Sequence, residues 1–217
     1  MRRSVLTTLA LCATLAVSAC GADEPDGTAD TPEAPATPDI QETAVGGNVA
    51  PDDGTTLATA QLEAADGQPR GTVEFRDVDA GLQVRVSAEG LEPGFHGLHL
   101  HEVGACAPDS QNPNDPGDVG DFLSSGGHLG EGDHPEHAGD LPSLLVMEDG
   151  TAELHFVTDR VDAATLLDDD GTAVIVHGGT DNFANIPDRY ADGGPDQDTL
   201  GTGDAGERVA CGVVTGQ

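Results

Sequence analysis

The chain predicts an all-β sandwich or barrel, and three observations carry that prediction. From Thr56 onward, short stretches with strand-like alternation recur, each bounded by Gly, Asp or Pro. Only 162–167 could make a turn or two of helix. Eight such stretches fall within about 160 residues, the density of an antiparallel sandwich or barrel.

Taken in order, the chain opens on a targeting pattern. Arg2 and Arg3 precede an apolar run, 5–17, that is too short to span a bilayer and sits where a secretory signal belongs. Val17-Ser18-Ala19-Cys20 resembles a bacterial lipobox, which makes 1–19 a lipoprotein signal and Cys20 the lipidated first residue of the mature chain. An ordinary signal cut nearby, with Cys20 a spare thiol, is the plainer alternative. Residues 20–44 are rich in Ala, Pro, Thr, Asp and Glu, with prolines at 25, 32, 35 and 38 and no apolar period. They read as a disordered tether ahead of a domain over 45–217.

Within that domain the expected strands are 56–64, 71–78, 82–89, 97–101, 144–147, 152–158, 173–177 and 208–214. Asp66-Gly67 and Asp79-Ala80-Gly81 supply turn chemistry between the first three, and Glu148-Asp149-Gly150 makes a hairpin of 144–147 and 152–158. Two long loops, 102–141 and 178–206, have the length that compact domains reserve for function.

The cysteines support export. Cys12 leaves with the signal and Cys20 takes the lipid, so Cys106 and Cys211 remain as the simplest disulfide. Closing a loop of that length stabilises a fold by roughly 4–5 kcal/mol in the chain-entropy picture. There are 40 acidic against 8 basic residues and no lysine, for a net charge of −32. That balance excludes nucleic acid and anionic membrane surfaces as partners and mildly favours a monomer.

The chemistry is concentrated in histidine. Leu98-His99-Leu100-His101 alternates, so His99 and His101 share one strand face, where two imidazoles either converge on an ion or sit solvated. His128, His134, His137 and Asp140 form a complete tetrahedral zinc set, or else a solvated acidic loop. His177 ends an apolar strand, where a satisfied structural histidine is the common occupant. Arg208, three residues before Cys211, would be pinned by the disulfide against the histidine-bearing loop, which suggests an anion there.

In order, the stretches 94–102, Gly126-Gly127-His128, 137–141, Val176-His177 with Asp181, and 203–213 resemble the motifs of the copper/zinc superoxide dismutases, in the manner of their bacterial branch. The resemblance spans roughly 56–214. It implies an eight-stranded Greek-key β-sandwich or flattened barrel with two functional loops. It implies copper held by His99, His101, His128 and His177, whose four nitrogens suit Cu(II). It also implies zinc held by His128, His134, His137 and Asp140, with His128 bridging the two. Asp181 would link a copper-side to a zinc-side histidine. Arg208 would hold superoxide, His128 would pass a proton, His96 would be structural, and His155 has no part.

The implied activity is conversion of two superoxide anions into dioxygen and hydrogen peroxide by copper redox cycling outside the cytoplasm. Two alternatives stand beside it: a non-catalytic copper or zinc reservoir, and a copper-only dismutase, since the 128–134 spacing is short for the zinc loop. The second loop carries six Asp and only Arg189 as a cation, which predicts weak electrostatic steering.

Overall fold

The structure is a computed structural model that describes residues 55–217. The signal segment, the tether and Cys20 lie outside the described residues.

Strands β1 (Thr56–Glu63), β2 (Pro69–Val78) and β3 (Gly81–Ala88) form an antiparallel meander, and alternate residues of each point inward: Ala58, Ala60 and Leu62; Val73 and Phe75; Val84 and Val86. The Asp66-Gly67 turn works as read, because Gly67 takes a φ of 78° and Asp66 Oδ1 accepts from Gln68 N. β4 (Gly94–His96) and β5 (Leu98–His101) follow. Two short strands, β6 (Ser110–Gln111) and β7 (Val119–Gly120), and a 3₁₀ turn at Leu123–Ser125 lie inside the first long loop. Next come β8 (Leu144–Val146), β9 (Ala152–Thr158), α1 (Ala163–Leu166), β10 (Ala173–His177), α2 (Gln197–Thr202), β11 (Arg208–Val213) and β12 (Thr215–Gly216).

The main sheet runs β5-β10-β11-β1-β2-β3-β9, entirely antiparallel, with β12 also on β1. It curls until β8, paired to β4, packs beside β9. Because β4 continues through Gly97 into β5, the sheet is closed into a flattened barrel without a continuous hydrogen-bonded seam.

Three expectations need correction. The 148–150 turn forms, with Gly150 at a φ of 81°, but β8 and β9 are not a hairpin ladder: β8 pairs with β4 and β9 with β3. The second loop contains a helix, α2, capped by the Asp196 carboxylate accepting from Thr199 N. Its polar, glycine-containing sequence carries no apolar stripe, so period alone could not reveal it. The third concerns 97–101, read as one strand: pairing starts earlier, at Gly94, and breaks at Gly97 into β4 and β5, and all four residues of β5 are buried.

β10 shows why a strand can be apolar throughout. Val174 and Val176 face the main core, while Ala173 and Ile175 face a second cluster made with Phe122 and Cys211. The predicted disulfide is present, joining Cys106 to Cys211 with a Cα separation of 5.7 Å.

Candidate metal centre

β5 is the platform. Leu98 and Leu100 enter the core, so His99 and His101 project from the opposite face, and the first loop folds over them. Loop backbone lies along the free edge of β5: Leu129 N donates to Leu100 O at 2.8 Å and Leu100 N to Gly139 O at 2.9 Å. This pairing sets His101 opposite His128 and His99 opposite Asp140. Gly139 permits the approach, since a Cβ there would overlap the Leu100 carbonyl. His177 arrives from β10, hydrogen-bonded to β5's neighbour Gly97 through its backbone N at 2.8 Å.

Two groups of ligand atoms result. His99, His101, His128 and His177 form one, and His99, His128, His134 and Asp140 form the other, with all atoms of each within 4.8 Å. These are the two metal-capable groups among the described residues. His137 stands just outside the second, tied to Asp140 Oδ2 by its Nδ1 at 3.0 Å and its backbone N at 3.0 Å. His155 faces Arg85 across β3 and β9 and joins neither.

The hydrogen bonds fix which nitrogen of each ring is free. His99 Nε2 contacts Asp181 Oδ2 at 2.9 Å, His101 Nδ1 contacts Gly126 O at 3.0 Å, and His177 Nδ1 contacts Gly206 O at 2.9 Å. His128 Nδ1 contacts Asp140 Oδ1 at 2.7 Å and His134 Nε2 contacts Asp181 Oδ1 at 2.8 Å. An imidazole that donates to an oxygen on one side presents a lone pair on the other. The nitrogens so exposed, His99 Nδ1, His101 Nε2, His128 Nε2, His177 Nε2 and His134 Nδ1, are buried and have no hydrogen-bond partner among the described residues. Buried polar atoms left this way are costly unless a ligand satisfies them, so the donor set fits metal. His134 Nδ1 lies 3.0 Å from Asp140 Oδ1 but off the line of a hydrogen bond.

Electrostatics follow the same division. Burial holds His101 well below its ordinary value, with the Arg208 charge adding to the effect. Burial lowers His177 to about 3, and lowers His128 to about 4 against the pull of Asp140. His134 goes the other way, to about 9, because Asp140 and Asp181 outweigh its burial. Both carboxylates are held below the usual range, with His128 and His134 acting on Asp140, and His134 and His99 on Asp181, against their burial.

Arg208 lies beside the first group for a local reason. A bulge between Val176 and His177 puts His177 opposite Arg208 in the β10–β11 ladder. Its guanidinium donates to Phe122 O, Ser125 Oγ and Gly126 O. With His128 and His177 it lines a cleft of about 980 Å³ whose rim carries Asp109, Asp118, Asp121, Asp204 and Glu207. Burial lowers Arg208 to about 10, so it remains cationic at neutral pH.

Residues 69–214 match the family described as copper/zinc superoxide dismutase. The chain belongs to that family. The superoxide dismutase [Cu-Zn] of Mycolicibacterium paratuberculosis is 46% identical over 170 residues, covering 75% of this chain and 70% of that one. The Escherichia coli K12 protein of the same name is 34% identical, covering 68% and 80%. Among solved structures, the Cu/Zn superoxide dismutase from Brucella abortus is 31% identical with a TM-score of 0.54, covering 72% and 98%. A SOD-like protein from Bacillus subtilis is 29% identical with a TM-score of 0.54, covering 71% and 96%.

Several supporting residues of this family member escape sequence reasoning. Glu102 Oε1 accepts from Gly127 N at 3.0 Å and Asn114 Nδ2 at 2.6 Å, bracing the turn before His128. His96, by contrast, was expected to be structural, and it sets its two ring nitrogens against His177 O at 2.6 Å and Glu92 O at 2.8 Å. Gly203, at a φ of 60°, leaves room for Asp181 Oδ1 and His134, which a Cβ would overlap. It opens the stretch 203–213 noted in the sequence, where nothing assigned it this role.

Proposed function

We propose that the protein is an exported, lipid-anchored superoxide dismutase. The observation that carries this reading is the convergence of four buried, unpartnered imidazole nitrogens beside an arginine that keeps free donors in an open cleft. Copper would be held by His99 Nδ1, His101 Nε2, His128 Nε2 and His177 Nε2. Zinc would be held by His128, His134 and His137 with the Asp140 carboxylate. Copper, when bound, supplies the one-electron couple that takes an electron from one superoxide and gives an electron to the next.

The chain's own residues do the remaining work. Arg208 binds and orients the anion at the cleft floor, where low exposure strengthens the attraction. His128 lines the cleft beside Arg208 with its Nε2 free of any protein partner among the described residues, which places that nitrogen to pass a proton to the bound anion as it is reduced. Asp181 holds His99 and His134 in the tautomers that face the cluster. A reservoir would need neither Arg208's free donors nor a cleft leading to them.

Export is supported by the disulfide, which belongs to an oxidising compartment, and by the leader pattern of 1–19 with Cys20 as lipid acceptor. The segment 20–44 would tether the 45–217 domain to the membrane.

The test is metal content per chain after copper and zinc loading, with dismutation assayed on the same sample. One copper and one zinc with rapid turnover is expected. Turnover with copper alone would favour the copper-only form, and bound metal without turnover would leave the reservoir.

A further inference from the structure

We infer that Ser125 is a positioning residue for Arg208, an inference that rests on the reading of Arg208 as the group that holds superoxide. A guanidinium has five N–H donors in one rigid plane. Nη1 donates to Phe122 O at 2.8 Å and to Ser125 Oγ at 2.9 Å, and Nη2 donates to Gly126 O at 2.7 Å. Among the described residues, Nε–H and the second Nη2 hydrogen have no acceptor, and the side chain opens on the cleft shared with His128 and His177. Those two donors are what an anion can use.

Ser125 completes the set that fixes their direction. Its hydroxyl is fully buried, accepts from Arg208, and donates to Phe122 O at 2.8 Å. Phe122 O therefore receives Nη1, the Ser125 hydroxyl and, at 3.1 Å, Ser125 N. That carbonyl is itself fixed. Phe122 sits in the left-handed region at a φ of 62°, and its ring is packed with Ala173, Ile175 and Cys211. With both Nη1 hydrogens and one Nη2 hydrogen engaged, the guanidinium plane has a single orientation.

Removing the hydroxyl takes away the one acceptor for the second Nη1 hydrogen at a place water does not reach. The guanidinium then gains by turning to recover an acceptor, and the turn swings its two free donors off the anion. Alanine fills the same space less one oxygen, so the turn at Leu123–Ser125 and the metal ligands are undisturbed.

The experiment is a double-mutant cycle on the full chain with Ser125→Ala, Arg208→Ala and the pair. One readout is kcat/KM of metal-loaded protein; the other is phosphate affinity of metal-free protein, followed through the Arg208 Nε–H resonance where Arg208 is present. Ser125→Ala should lower kcat/KM and phosphate affinity each by about fivefold, the size of one lost hydrogen bond. Copper content and melting temperature should stay at wild-type values, and the effect on kcat/KM should vanish in the Arg208→Ala background. An equal loss in that background, or unchanged phosphate affinity, overturns the inference. If Arg208→Ala alone leaves kcat/KM intact, the anion-site reading fails as well. If Arg208→Ala impairs turnover and Ser125→Ala does not, only the role of Ser125 fails.

Discussion

Asp181 is the residue on which both halves of the centre depend. One carboxylate oxygen contacts His99 Nε2 and the other contacts His134 Nε2 and Phe183 N, the last at 2.7 Å. Asp181→Ala would free both rings to rotate or change tautomer. We expect metal affinity to fall by about 10–100-fold, the range seen when such supporting carboxylates are lost. Chelator competition measures this, and unchanged affinity for both metals would show that packing alone orients the rings. Gly203→Ala should produce a similar defect by a different route, since its Cβ would occupy the place of Asp181 Oδ1. His99 and His101 were legible as a pair from alternation. Their burial was not, because a strand's own sequence does not say what covers its second face.

At the level of elements, β11 joins the disulfide to the anion site. Cys211 ties it to Cys106, and Arg208 on the same strand reaches the Phe122–Gly126 turn. Replacing Cys106 and Cys211 by serine should lower stability by roughly 4–5 kcal/mol on the chain-entropy estimate. Turnover should fall with it, because Phe122 packs against Cys211 and supplies an acceptor to Arg208. Denaturant unfolding and kcat/KM measure the two separately. A stability loss with full turnover would show that the turn holds Arg208 without the bridge. The strands β1, β2, β3, β5, β8, β9, β10 and β11 were readable to within about a residue or two, since each carries its period locally, whereas the short β4, β6, β7 and β12 were not. The pairing of β8 with β4 was not, because partner choice depends on how far the sheet curls.

Over the whole molecule, charge and protonation set the conditions. The cleft rim bears five carboxylate residues around Arg208 in a chain of net charge −32. Superoxide therefore approaches against repulsion, and screening should help it. Raising ionic strength from about 0.01 to about 0.15 M shortens the Debye length from about 30 to about 8 Å and should raise kcat/KM. A steep fall would show net attraction instead. Protonation acts on the metal-free fold. His128 and His177, lowered to about 4 and about 3, bind protons less readily folded than unfolded, so they cost stability as pH falls below 6.5. His134, raised to about 9, stabilises fully below 6.5, and its contribution is lost as pH rises toward 9. Asp140 and Asp181, held low, add to the loss at acid pH. Melting temperature of the metal-free protein should therefore peak near pH 6.5, and a maximum well above pH 8 would contradict this balance.

The sequence by itself determined the all-β class, the eight principal strands, the Cys106–Cys211 pair and the histidines and aspartates that gather at the centre. These are local or combinatorial properties: alternation, turn chemistry, cysteine count and motif order. Tertiary structure alone decided which nitrogen of each histidine is free, the burial of β5 beneath the first loop, and the cradle that Phe122, Ser125 and Gly126 build for Arg208. Each of these depends on the distance and direction between groups remote in sequence. Hydrogen bonding and desolvation act over a few ångströms, and only the folded chain sets those distances.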